Sequence, residues 1–378
     1  EYPMTQTTTP NTAAASTTSF GLALFKEEAR QNKGKNVLIS PASVAIALAM
    51  TMNGARQTTL SAMRSTLGFG EGETIDTINA SMEALLSALA DPKSGVELTV
   101  ANAIWAEQSM PFKKAFLDGV VAAYKARVVN ADFADPATVD AINNWANENT
   151  RGKIPTIIDD IAADMVMYLL NAIYFKGSWT TKFDKDMTFG GQFASEADGE
   201  VSVMYMNREA DMRYSRGKTF QAVALPFGES KRVSLYVLLP NEGVDINDFV
   251  EGLSASVLTN LQESWESEVD LRLPRFKAEY DVDLKDSLCA LGMGEAFESG
   301  ADFTGMADAA MVISTVKHKT FAMFDEDGGE AAAVTAVGIA LESVRMTARV
   351  HVDRPFVAAL VDEVTGALLF IGKVAKPD

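Results

Sequence analysis

Nucleophilic, general-base or metal chemistry would start from histidine and cysteine, and this 378-residue chain carries only two of the first and one of the second. His318 stands in "TVKHKTF", where strand alternation places it on one face with Val316, Thr320 and Ala322. A hydrogen-bonded core histidine accounts for that pattern better than a catalytic one. His351, in "RVHVDRP", reads as part of a surface strand. Cys289 can form no intramolecular disulfide and reads as a small core residue. No grouping of these residues has metal-ligand spacing, and no phosphate-binding glycine loop follows a strand. "GFGEG", Gly68 to Gly72, is a turn between helices. The expectation is no enzyme, no metal and no cofactor.

A different chemistry is open to "EDGGEAAAVTAVGIALES", Glu326 to Ser343: the addition of a backbone strand to a sheet. At the strand period of two, Gly329, Ala331, Ala333, Thr335, Val337, Ile339 and Leu341 share one face, small at first, larger later and uncharged. Glu330 and Glu342 both fall on the other face. Gly328-Gly329 supplies a hinge, because glycine tolerates backbone angles that other residues avoid. The segment reads as a mobile loop able to become a strand, or as an ordinary edge strand or an Ala-rich surface helix.

Hydrophobic content of 47% over this length supports a large buried core. The formal charge of −18 disfavours nucleic acid and anionic lipid as partners, because association would begin with repulsion. The longest apolar stretches, Met165 to Phe175 and Ala331 to Leu341, fall short of the roughly 20 residues that span a bilayer, so no membrane insertion is expected. Residues 1–18, rich in Thr and Ala, read as a flexible lead after a processed start, as in exported or surface-tethered proteins. Residues 19–378 then form one α+β domain.

Ser40-Pro41 marks a helix start. Ile75, Ile78, Met82, Leu85, Leu86 and Leu89 recur at helical spacing, and further helices are expected at Phe112 to Tyr124, Pro136 to Thr150 and Leu284 to Leu291. Val96 to Trp105 alternates like a strand. "MVMYLLNAIYF", Met165 to Phe175, is apolar on both faces, as a central strand covered above and below would be. The second half of the chain is rich in strands.

In order along the chain stand "NVLISPASVAIALAMTMNGA" from Asn36, "NAIWAE" from Asn102, "INNWANENTRGKI" from Ile142, "LNAIYFKGSW" from Leu170, "LPRFKAEY" from Leu273, "ADFTGM" from Ala301, "HKTF" from His318, "DRPF" from Asp353 and "LLFIGKV" from Leu368. With the hinge-like "EDGGEAAAVTAV", this series resembles the serpin family over nearly the whole chain. The resemblance implies an α+β fold of three β-sheets and eight or nine helices, with an exposed reactive loop at about residues 326–350. It implies a suicide inhibitor of serine, sometimes cysteine, proteases, whose cut loop inserts into the main sheet and traps the covalent acyl-enzyme. Hinge positions match Glu326, Gly328, Gly329, Glu330, Ala331, Ala332, Ala333, Val334 and Thr335. Ser40, Ser43, Asn171 and His318 match the shutter where the central strands part, and Trp179 matches the breach where the loop first enters. The Asn in "YLLNAIYF" needs a buried partner, which His318 would supply.

Two hinge residues depart from the family pattern: Gly329 replaces Thr or Ser, and Val334 replaces the common Ala. Neither brings a charge or a proline into the inward face. Counted from Glu326, the family's usual spacing puts the scissile bond between Glu342 and Ser343, implying a glutamyl-specific or elastase-like target. Leu341, Val344 and Arg345 are the alternative positions: cleavage after Leu341 or Val344 would suit chymotrypsin-like or elastase-like enzymes, and after Arg345 a trypsin-like one. The alternative function is a non-inhibitory carrier, chaperone or cleavable substrate. The expected inhibitor is a secreted or surface-tethered monomer of prokaryotic type, without a heparin-type activator, since Ile75 to Leu89 lacks a basic cluster.

Overall fold

The structure is a computed structural model that describes residues 12–328 and 346–378. The first helix, α1 (Thr12–Gln31), begins earlier than expected. Ala13, Ala14 and Thr17 are buried in it, so the flexible lead does not extend to residue 18. Thr and Ala without strong periodicity look like a tail, but small side chains allow close packing, and α1 lies against α2 (Pro41–Met52).

Between these helices runs β1 (Val37–Ile39). Ser40 caps α2 by accepting a hydrogen bond from the Ser43 amide at 3.4 Å, and Pro41 fills the first turn, where no amide proton is needed. All residues of α2 are buried. Then come α3 (Gln57–Thr66), α4 (Ile75–Leu89), β2 (Val96–Glu107), α5 (Lys114–Tyr124), β3 (Arg127–Ala131), α6 (Pro136–Asn149) and β4 (Met167–Gly177). On α4, Ile78, Met82, Leu85 and Leu89 are buried, as their spacing requires.

The chain continues through β5 (Phe189–Ala194), β6 (Glu200–Arg216), β7 (Phe220–Phe227), β8 (Val233–Pro240), α7 (Ile246–Glu251), α8 (Ala255–Gln262), β9 (Glu266–Pro274) and β10 (Phe276–Asp283). It ends with α9 (Lys285–Leu288), β11 (Thr315–Phe324), β12 (Ala348–His351), β13 (Phe356–Asp362) and β14 (Leu368–Val374). The helix expected over Leu284 to Leu291 is α-helical only in α9. A wider turn follows over Cys289–Met293, where Gly292 takes a left-handed φ of 109° that halts regular helix.

The described strands form two hydrogen-bonded sheets. One runs β10-β11-β4-β2-β3; the other runs β1-β14-β13-β8-β7-β6-β9-β12, with β5 also on β6. The third sheet implied by the resemblance is continuous with the second through the long β6. That strand pairs in succession with β5, β9 and β7.

The continuous apolar run of β4 is explained by its two faces. Met167, Leu169, Ile173 and Phe175 join the main core between the sheets. Tyr168, Leu170 and Ala172 join a second cluster with Trp105, Ile142, Trp145 and Ile154, beneath α6. Among the described residues, no helix is long and apolar enough to cross a membrane.

Candidate functional site

The centre of the five-stranded sheet joins β4 and β11, which are neighbours and run parallel. Their register begins at Thr315 opposite Tyr168 and stops at Phe321 opposite Tyr174, although both strands continue. Beyond that point β11 stays paired with β10, as far as Phe324 opposite Phe276. The two central strands therefore part at one end. Aromatic rings fill the opening: Trp179 stacks on Phe227 at 4.3 Å between centroids, Phe175 meets Phe227 edge-on at 5.1 Å, and Phe324 lies 6.0 Å from Trp179.

The chain leaving β11 turns back at this opening. Trp179 holds the turn by donating its ring N–H to the Asp325 carbonyl at 2.7 Å and its backbone N–H to the Asp327 carbonyl at 3.0 Å. Glu326 is 2% exposed and ion-paired with Arg275, whose Nε donates to both of its oxygens at 2.8 and 2.9 Å; Thr188 donates at 2.6 Å. Burial pushes this carboxyl up, and the bonds from Arg275 and Thr188 overcome it, so the group rests below its ordinary pKa. Asp327 lies between Lys185 at 2.8 Å and Lys182 at 3.2 Å, and the Lys185 bond leads in lowering its pKa. Gly328 closes the turn at φ 120°; a Cβ there would meet the Gly177 carbonyl oxygen at 2.4 Å. Only glycine fits.

Halfway along the same seam lies a polar row. Register places His318 on β11 opposite Asn171 on β4, and Asn171 opposite Asn102 on β2. His318 and Asn171 meet the N-terminus of α2. The Ser40 amide donates to His318 Nε2 at 3.1 Å, so Nε2 is the acceptor and the ring proton sits on Nδ1. That proton goes to Asn171 Oδ1 at 2.6 Å. Asn171 Nδ2 donates in turn to Ser43 Oγ and, at 2.6 Å, to Asn102 Oδ1. Ser40, Ser43, Asn171 and His318 are all fully buried.

The four shutter residues named from sequence thus come together, and Trp179 lies where the strands part. Hinge residues Glu326 and Gly328 flank the turn at the same place. Gly329, Glu330, Ala331, Ala332, Ala333, Val334 and Thr335 lie outside the described residues, as do Leu341, Glu342, Ser343, Val344 and Arg345. Sequence reading missed Asn102, Arg275 and Phe227. A lone Asn in the strand "VELTVANAIWAE" was a signal for the first; the others need cross-strand register. His351, half-buried on β12, meets Asp270 Oδ2 at 2.8 Å. Among the described residues no cluster could hold a metal ion.

Burial holds the His318 pKa down at about 3, against an ordinary 6.5. The unfolded chain binds a proton at His318 below 6.5, whereas the folded chain does not until about 3. Stability is therefore complete above pH 6.5 and is lost as pH falls towards 3, by roughly 1.4 kcal/mol per pH unit at most. Urea unfolding across this range should show the loss in the native chain, and a His318→Gln variant should show a correspondingly flatter profile.

A family model described as "Serpin (serine protease inhibitor)" matches residues 15–377. The chain is 33% identical over 369 residues to Serpin B6 of Macaca fascicularis, covering 95% of this chain and 98% of the relative. It is 32% identical over 381 residues to an uncharacterized serpin-like protein of Methanosarcina acetivorans, covering 97% and 88%. Among solved structures, the thermophilic serpin tengpin in its native state superposes with a TM-score of 0.88 at 33% identity, covering all of this chain and 96% of that one. Human thyroxine-binding globulin, complexed with thyroxine, superposes with a TM-score of 0.89 at 26% identity, covering 97% and 98%.

Proposed function

Because the chain belongs to the serpin family, whose members include both protease inhibitors and carriers, we propose that it is an inhibitor that traps serine proteases by strand insertion. The observation that carries this reading is the parallel contact of β4 and β11, parted at the end where Gly328 leads the chain away. A strand that follows β11 through so short a turn must run antiparallel to it, and hence antiparallel to β4 as well. Insertion would exchange one parallel ladder for two antiparallel ones, which are slightly more stable per residue.

The uncharged face from Gly329 to Leu341 has the side chains for that position. A protease serine attacking the Glu342 carbonyl forms an ester and releases the Ser343 amine. Insertion of about thirteen residues at roughly 3.4 Å each then carries the ester ~44 Å, on the scale of a whole protease, and distorts the attacker before water can deacylate it. The proposed targets are a glutamyl endopeptidase or an elastase-like enzyme.

Incubation with a glutamyl endopeptidase and with an elastase, resolved on a denaturing gel, tests this. The expected product is a band at the summed mass of inhibitor and protease that resists boiling in detergent. Cleaved chain without such a band, for every protease class tried, would assign the protein to the carriers and substrates of the family.

A further inference from the structure

Among the described strands β12 ends its sheet, with β9 and then β6 beside it. Register sets four carboxylates in two facing pairs on β6 and β9: Glu209 opposite Asp270, and Asp211 opposite Glu268. Ala210 and Val269, opposite one another between these pairs, turn to the core, so alternation brings all four acids to the outer face. Like charges directly opposite each other destabilise a sheet. The cations of this face are committed elsewhere or to a single acid. Arg349 and His351 both reach from β12 to Asp270 Oδ2, at 3.9 and 2.8 Å. Arg213 is paired with Glu363, and Arg272 donates to Asn207 Oδ1 at 3.3 Å while lying 4.9 Å over the Phe189 ring. Glu209 and Glu268 form no ion pair among the described residues. Just before β9, Trp265 is 89% exposed between Glu263 and Glu266. A tryptophan so open adds nothing to the core, and tryptophan is among the side chains that most often anchor protein contacts.

The place of this face decides what can sit on it. The chain from Glu342 reaches β12 at Ala348, and at roughly 3.4 Å per residue this keeps the proposed scissile bond within ~20 Å of that strand. At the ordinary strand spacing, β9 lies about 5 Å and β6 about 10 Å beyond. A protease closed on the bond, a body about 45 Å across, has its rim over these strands.

We propose that the outer face of β6, β9 and β12 is a docking surface for the target protease, fitting an enzyme with lysine and arginine on the rim beside its active-site cleft, with Trp265 as the anchor. This rests on the inhibitor reading above and adds to it the kind of protease that is caught. The facing acids weaken the sheet and supply the counter-charge for that rim. Opposite potentials speed the encounter with a basic enzyme and select against an acidic one.

The test separates docking from trapping by using the full chain and two elastases, one of net positive and one of net negative charge, each with its active-site serine replaced by alanine. Affinity for the basic enzyme should fall at least about tenfold between roughly 50 and 300 mM sodium chloride, and the acidic enzyme should bind at least about tenfold more weakly at the lower salt. Glu209→Lys combined with Glu268→Lys should cost at least about tenfold for the basic enzyme, with an unfolding midpoint equal to or above that of the native chain. Glu71→Lys combined with Glu83→Lys makes the same change of charge at exposed positions before and on α4, and should cost less than about threefold, which discounts the general pull of a −18 chain. Trp265→Ala should cost about tenfold. The proposal is overturned if the acidic enzyme binds as tightly, if the Glu209 and Glu268 reversal or Trp265→Ala binds as the native chain does, or if the α4 reversal costs as much. Active forms of the same enzymes keep the two readings apart. If no covalent complex forms with an enzyme whose serine variant docks, trapping alone fails. If the Glu209 and Glu268 reversal forms the complex as fast as the native chain, docking alone fails.

Discussion

Cutting the loop near Glu342 should raise the unfolding midpoint by about 20–40 °C, a larger change than any substitution is expected to bring. The estimate follows from the strand that insertion would add. Each new ladder hydrogen bond contributes about 0.5–1.5 kcal/mol net, and burial of Val337, Ile339 and Leu341 adds roughly 1.5–3 kcal/mol each, for a total on the order of 10–20 kcal/mol. In a chain of this size 1 kcal/mol moves the midpoint by about 2 °C. The uncut arrangement, with β4 directly against β11, would then be held by a barrier rather than by its depth. Differential scanning calorimetry before and after limited proteolysis reads the difference, and mass spectrometry places the cut. An unchanged midpoint after complete cleavage between residues 341 and 345 would end the insertion mechanism for this chain.

Asn171→Ala should accelerate spontaneous loss of inhibitory activity by roughly 10- to 100-fold at a fixed temperature. Asn171 is the centre of the polar row. Its amide joins β11 through His318, β2 through Asn102 and α2 through Ser43. Truncation strands the His318 Nδ1 proton and the Asn102 oxygen in a site closed to water, at about 1–3 kcal/mol for each group left without a partner. In the proposed parting of β4 from β11 the His318–Asn171 bond is broken while Asn171 and Asn102 stay on paired strands, so only the loss at His318 raises the native state without raising the transition state. About 1–3 kcal/mol then appears in the rate, at tenfold per 1.4 kcal/mol. Timed incubation followed by titration with the target protease measures it, and the wild-type rate in the variant would place the barrier elsewhere.

Local sequence was enough for elements whose pattern repeats within a few residues. Helix α4 follows from its spacing, the start of α2 from Ser40-Pro41, and the depth of β4 from an apolar run on both faces. The burial of His318 followed from alternation alone. Where reading failed, the deciding contact was distant. The start of α1 is packed by small residues whose partners lie far along the chain, and α9 is cut short by one left-handed glycine. Asn102 looked like one polar residue in a strand, until register set it beside Asn171.

By itself, then, the sequence determined the family, the apolar faces, the polar residues needing partners, and the uncharged hinge face from Gly329 to Leu341, because each is written in residue type and short-range period. Only the tertiary structure decided that β4 and β11 touch in parallel, that they part at Trp179, and that Arg275 neutralises Glu326. Such facts depend on which strands become neighbours and in what register. Both are set by packing over the whole chain, where contacts separated by more than a hundred residues outweigh any local preference.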